Sequence, residues 1–221
     1  MDRTLLNKQQ TALRRVMLES ADHAQAIELF LHQHALLHAA TMSGLGLWSY
    51  EDVILDGLDE RQMRRIPRNE EHSIVWCLWH IARIEDVTMN LLVDKTDPLF
   101  EEENWGVKLK TPIIHTANAM TEADVDEFSQ QIDIATLRAY RIAVGRRTRE
   151  IASRLEPGTL HERVDQAQIA RVAEQSLVHP DAQDVIDYWS KRTIAGLLLM
   201  PASRHLLVHL NEAARLKKRK S

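Results

Sequence analysis

The sequence predicts an all-α protein: an antiparallel four-helix bundle with additional short helices and one long loop. Seven glycines and six prolines in 221 residues are about half the share of an average protein, which disfavours turn-rich β architectures. Apolar residues, 44% of the chain, recur over long stretches at three- and four-residue steps, the period of one helix face. No low-complexity tract, Gly/Ser linker or internal repeat divides the chain, so a single domain over residues 1–221 is expected.

In chain order, residues 1–21 form an accessory N-terminal helix with a weak stripe of Leu5, Leu6, Leu13, Val16 and Met17. From Asp22 the spacing sharpens: Ile27, Phe30, Leu31, His34, His38 and Met42 predict a first long helix, stopped by Gly44 and Gly46. Ser49 to Asn69 reads as a connection with a short helix and a break at Pro67. Ser73 caps a second long helix, IVWCLWHIARIEDVTMNLLV, apolar nearly all round its first turns and therefore central. Phe100 to Ala119 lacks a helical period and is the long loop, of the kind that serves as a lid. Thr121 with Asp124 opens a short helix, and Asp133 to Leu155 gives the third long one, ended by Pro157-Gly158. After a polar connection, helix resumes at Asp181 and runs to a basic tail, 217–221, with Pro201 as a kink or first-turn residue.

Charge and composition narrow the function. A net charge of -4 offers no basic field, which argues against a nucleic-acid partner. The longest apolar run, 194–202, is shorter than the ~18–20 residues of a membrane span, so no membrane partner is expected. One cysteine and a polar N-terminus point to the cytoplasm. P-loop, dinucleotide, nucleophile-elbow, paired C-x-x-C and H-E-x-x-H signatures are absent from the sequence.

Histidine stands out, with 11 residues, roughly twice the usual frequency. His205 and His209 are four apart on a predicted helix, so their rings lie one above the other and can reach one metal ion. His80 is a third candidate, on the core-facing stripe Trp76, Cys77, His80, Ile84, Val87 and Leu91. Helical proteins contain H-x-x-x-H pairs by chance, and a lone buried histidine is more often a hydrogen-bonded core residue than a ligand. His34 and His38 form a rival pair at the same spacing, and spacing does not rank the two. Glu212 and Arg204 are available to orient the ligands. Cys77 reads as a small buried residue, and His72 as a solvated one.

SIVWCLWHIARIEDVTMN, followed about 120 residues later by LLLMPASRHLLVHLNEA, resembles the DinB-like (YfiT-like) superfamily of metal-dependent enzymes over most of the chain. That resemblance implies a four-helix bundle holding a divalent metal through one histidine of the second helix and an H-x-x-x-H pair of the last. Carried over by motif, the metal ligands are His80, His205 and His209, and His34 and His38 become pocket lining or core. Members include transferases and isomerases that use bacillithiol or mycothiol. Three neutral imidazoles leave an open coordination position, the pattern of a catalytic site, and suit zinc, nickel or iron equally. The expected function is therefore a thiol-dependent transferase or hydrolase acting on a small molecule, with a low-molecular-weight thiol as a second cofactor. The alternative is a non-catalytic metal-binding or stress-related bundle. A homodimer is the assembly this reading leaves open.

Overall fold

A computed structural model of the chain describes residues 3–19 and 22–219, and the regular structure among them is helical. The only β feature among the described residues is an isolated bridge between Arg163 and Thr193. No helix there is long and apolar enough to cross a membrane.

The elements that build the interior around the histidines are α1 (Arg3–Glu19), α2 (His23–Leu37), α3 (Ile74–Asp86), α4 (Ile134–Ser153), the short α5 (Ile194–Leu199) and α6 (His205–Lys218). Helix α3 is the centre. Ser73 caps it, its hydroxyl accepting from Trp76 N at 2.9 Å, and every residue from Ile74 to Asp86 is buried. It continues through a π-helical stretch, Val87–Asp94, to Lys95 in the left-handed region (φ 63°). Helices α4 and α6 both pack on α3, α2 packs on α4 and touches α6, and α1 lies on α2 and α5.

Buried charge threads this apolar centre. Asp86 accepts from the backbone N–H groups of Leu99 and Phe100 (2.8 and 3.0 Å), from the Tyr140 hydroxyl (2.6 Å) and from Arg83 (2.9 Å). Arg83 also donates to the Ile114 carbonyl. Both ends of the loop predicted over 100–119 are thereby tied to α3.

Several boundaries differ from the sequence reading. The first long helix does not run to Met42: it stops at Leu37, His38 is extended (φ -113°, ψ 167°), and a short helix follows at Ala40–Ser43. Distant side chains satisfy the carbonyls a longer helix would have used. Arg141 donates to Leu37 O at 2.8 Å and Ser49 to His38 O at 2.6 Å. The long loop contains two short helices, Leu99–Glu102 and Trp105–Leu109. The polar connection before Pro180 contains a helix at Gln166–Glu174, and the last helical region is broken at Ser190 and again around Pro201. Arg3–Glu19 is helical as expected, but on the stripe Leu6, Leu13 and Met17, with Leu5 facing solvent. The tail begins inside α6. Lys217 caps the helix Tyr50–Leu55 by donating to Asp56 O at 2.5 Å, while residues 220 and 221 lie outside the described part.

Candidate metal centre

His80 lies in the second turn of α3, and His205 and His209 occupy the first turns of α6. A π-helical turn, Met200–Arg204, joins α5 to α6. Pro201 sits in it without an N–H to donate, and the widened turn sets the register with which α6 meets α3. His80, His205 and His209 converge, offering ligand atoms all within 4.8 Å of one another. Their ring centroids are 4.5 to 4.9 Å apart. His80 is buried, whereas His205 and His209 are half-buried, so the cluster has one sealed and one open side.

Two of the rings are fixed by hydrogen bonds. The Nδ1–H of His80 donates to the Thr116 carbonyl at 2.5 Å, which leaves Nε2 as the nitrogen able to ligate. Ala117 beside it holds a left-handed backbone (φ 62°) and accepts from Trp76 Nε1, turning the Thr116 carbonyl toward the cluster. The Nδ1–H of His209 donates to Glu212 Oε2 at 2.8 Å, again freeing Nε2. Glu212 Oε1 accepts from His72 Nδ1 at 2.9 Å. His72 stacks on Trp76 with a centroid distance of 3.5 Å, and Trp76 stacks on His80 at 4.5 Å. One indole thus walls the site between two imidazoles.

Burial favours the neutral form of two of the rings, His80 and His205. Burial lowers His80 to about 3, with His209 beside it adding to the effect. Burial likewise takes His205 well below its ordinary value. Burial raises Glu212, but the bonds from His209 and His72 outweigh it and leave the carboxylate depressed. Nδ1 of His205 is buried with no hydrogen-bond partner among the described residues. Three imidazoles, two with Nδ1–H engaged and Nε2 free and one with an unpartnered Nδ1, fit the needs of a divalent cation.

Other candidates fall elsewhere. Glu212 reaches His209 as anticipated, whereas Arg204 points outward and donates to the Asn7 side chain at 2.8 Å. Cys77 is buried, and burial together with the nearby Glu212 charge pushes its thiol well above the ordinary range. The long loop meets the cluster through Thr116 and not through Trp105, which is buried against Tyr140 with Lys108 over its ring. His34 and His38 do not reach the triad: they face Glu85. His72, read from sequence as solvated, is a member of the site. Its signal was the spacing His72, Trp76, His80, which crosses the Ser73 cap and so escapes a search confined to the helix.

A family model described as the DinB superfamily matches residues 47–213, a stretch that contains all three converging histidines and Glu212. No curated protein matches the chain.

Proposed function

Because the chain belongs to the DinB superfamily, we propose that it is a metal-dependent enzyme, a thiol-dependent transferase or hydrolase acting on a small molecule at His80, His205 and His209. The observation that carries this reading is the convergence of three imidazole ligand atoms within 4.8 Å on one half-open side of the fold. When bound, a divalent ion there supplies charge that lowers the pKa of a coordinated water or thiol toward neutrality. The chain's own groups do the rest. Thr116 and Glu212 hold two ring tautomers, Trp76 keeps water from the sealed side, and His72, with 23% of its side chain exposed, stands at the rim and braces Glu212 through its Nδ1–H. Cys77 is not the nucleophile, since its thiol is held protonated.

The same reading takes residues 1–221 as one domain in which α2, α3, α4 and α6 form an antiparallel four-helix bundle. The packing of α4 and α6 on α3 supports it. A cytoplasmic homodimer completes the reading, and sedimentation of the purified protein tests the assembly.

The test is turnover. Elemental analysis of protein purified without added metal selects among zinc, nickel and iron. Small electrophiles are then assayed with bacillithiol, mycothiol, glutathione or water as acceptor. The expected result is metal-dependent turnover that His205→Ala abolishes together with metal binding at the triad and that Cys77→Ala retains. Absence of turnover with every acceptor in metal-loaded protein overturns the enzymatic reading.

A further inference from the structure

The second histidine pair is built into the interior. His34 of α2, His38 just past its end and Glu85 of α3 have fully buried side chains. His34 Nε2 lies 2.7 Å from Glu85 Oε1, and His38 Nε2 lies 3.1 Å from Glu85 Oε2, so each carboxylate oxygen faces one imidazole. The second contact is not a hydrogen bond. Both His38 Nε2 and Glu85 Oε2 lack a hydrogen-bond partner among the described residues despite their proximity. Neighbouring donors about 2.1 Å from one cation stand roughly 3.0–3.4 Å apart, which is the spacing these two atoms have.

Nδ1 of His38 lies against Gly145 of α4, where a Cβ would come within 2.8 Å of it. The His34 and His38 rings are held together with centroids 4.2 Å apart. Glu85 therefore meets two Nε2 edges, and the donor set of two imidazoles and a carboxylate with both oxygens engaged is one that zinc accepts.

Charge points the same way. Arg141 pairs with Glu51 at 2.5 Å, and its second nitrogen is 4.0 Å from Glu85 Oε2. Two carboxylates thus share one guanidinium in the core, where uncompensated charge is costly.

We propose that His34, His38 and Glu85 form a second, interior site for a divalent cation, which ties α2 to α3. It is separate from the triad. Glu85 lies five residues beyond His80 on α3, about 7.5 Å along the axis and roughly 140° around it, so the two sites open on different faces and share no bridging ligand. The family match begins at residue 47, after both histidines of this inner site. Its closed surroundings suit a structural ion, whereas the triad opens to solvent.

The experiment counts zinc. Protein stripped with chelator, reloaded with Zn²⁺ and desalted is expected to retain two ions per chain. Glu85→Gln and, separately, His38→Gln should each retain one. The His205→Ala/His209→Ala double variant should also retain one, and in it zinc should shift the Nε2 resonances of His34 and His38 in long-range ¹H–¹⁵N spectra. That arm does not depend on the inner-site variants folding. A double variant that retains no zinc, or retains it with those resonances unmoved, overturns the proposal. Failure of the outer triad has a different signature: one ion in the wild type, lost with Glu85→Gln and unaffected by the double variant.

Discussion

Glu212 touches two imidazoles with its two oxygens, 2.8 Å from His209 and 2.9 Å from His72, and so orients a ligand it does not replace. Carboxylates in that position typically contribute 10–100-fold to metal affinity. Glu212→Gln is expected to weaken zinc binding by about that factor in chelator competition, with helical content unchanged; unchanged affinity would reduce Glu212 to a rim charge. Asp86 has a different task. It accepts two backbone N–H groups, a tyrosine hydroxyl and Arg83 in full burial, and its removal leaves the guanidinium with the part-exposed Glu101 as its remaining carboxylate partner. Breaking a buried pair costs about 3–5 kcal/mol, which Asp86→Ala should show in urea denaturation. Arg215→Ala, at a pair whose arginine is half exposed, should change stability by about 0–1 kcal/mol.

At the scale of elements, α4 runs close to the segment that follows α2 where Gly145 faces His38 and Met42, with a Cβ position 2.8 Å from one and 2.9 Å from the other. Neither neighbour is free to retreat, His38 being packed against Glu85. Gly145→Ala should therefore destabilise the protein by about 1–3 kcal/mol, the usual cost of overpacking, measured as a lower urea midpoint. The central helix was legible because every face of Ile74–Asp86 is buried and the sequence shows apolar residues all round. The convergence of His80 with His205 and His209 was legible too, since two helices presented them with the right period and the family resemblance ranked that pair above His34 and His38. Thr116 was not legible. It acts through its backbone carbonyl, and no side-chain pattern marks the left-handed turn at Ala117 that aims it. The end of α2 at Leu37 was hidden for a related reason: Arg141 and Ser49, 104 and 11 residues away, stop a helix whose own sequence would continue. The helix Gln166–Glu174 buries only Ile169 and Val172, too thin a stripe to stand out in a polar stretch.

For the whole molecule, α3 links both histidine clusters, so ions that bind only the folded chain should stabilise it as a unit. At free zinc a hundredfold above the dissociation constant, one site contributes about 2.7 kcal/mol, or roughly 5–10 °C in melting temperature for a chain of this size. Verified metal removal that leaves the melting curve in place would show that neither cluster clamps the fold. The metal-free protein should in turn be sensitive to mild acid. His38 and His80 fall from an ordinary 6.5 to about 3 through burial, and His205 is lowered as well. Between about pH 6.5 and 4.5 the unfolded chain binds protons at these rings while the folded chain does not, so stability falls as pH falls, by up to about 1.4 kcal/mol per pH unit for each ring. Glu85 and Glu212 act in a lower window. Their depressed carboxylates contribute stability above an ordinary 4.5 that is lost only as pH drops further, so the upper window belongs to the histidines. Urea midpoints in chelator at pH 7.5, 6 and 5 should decline steadily in the wild type. His38→Gln, with one such ring removed, should decline less steeply by about 1.4 kcal/mol per unit, and a profile flat across that range in both proteins would mean that the rings protonate in place without opposing the fold.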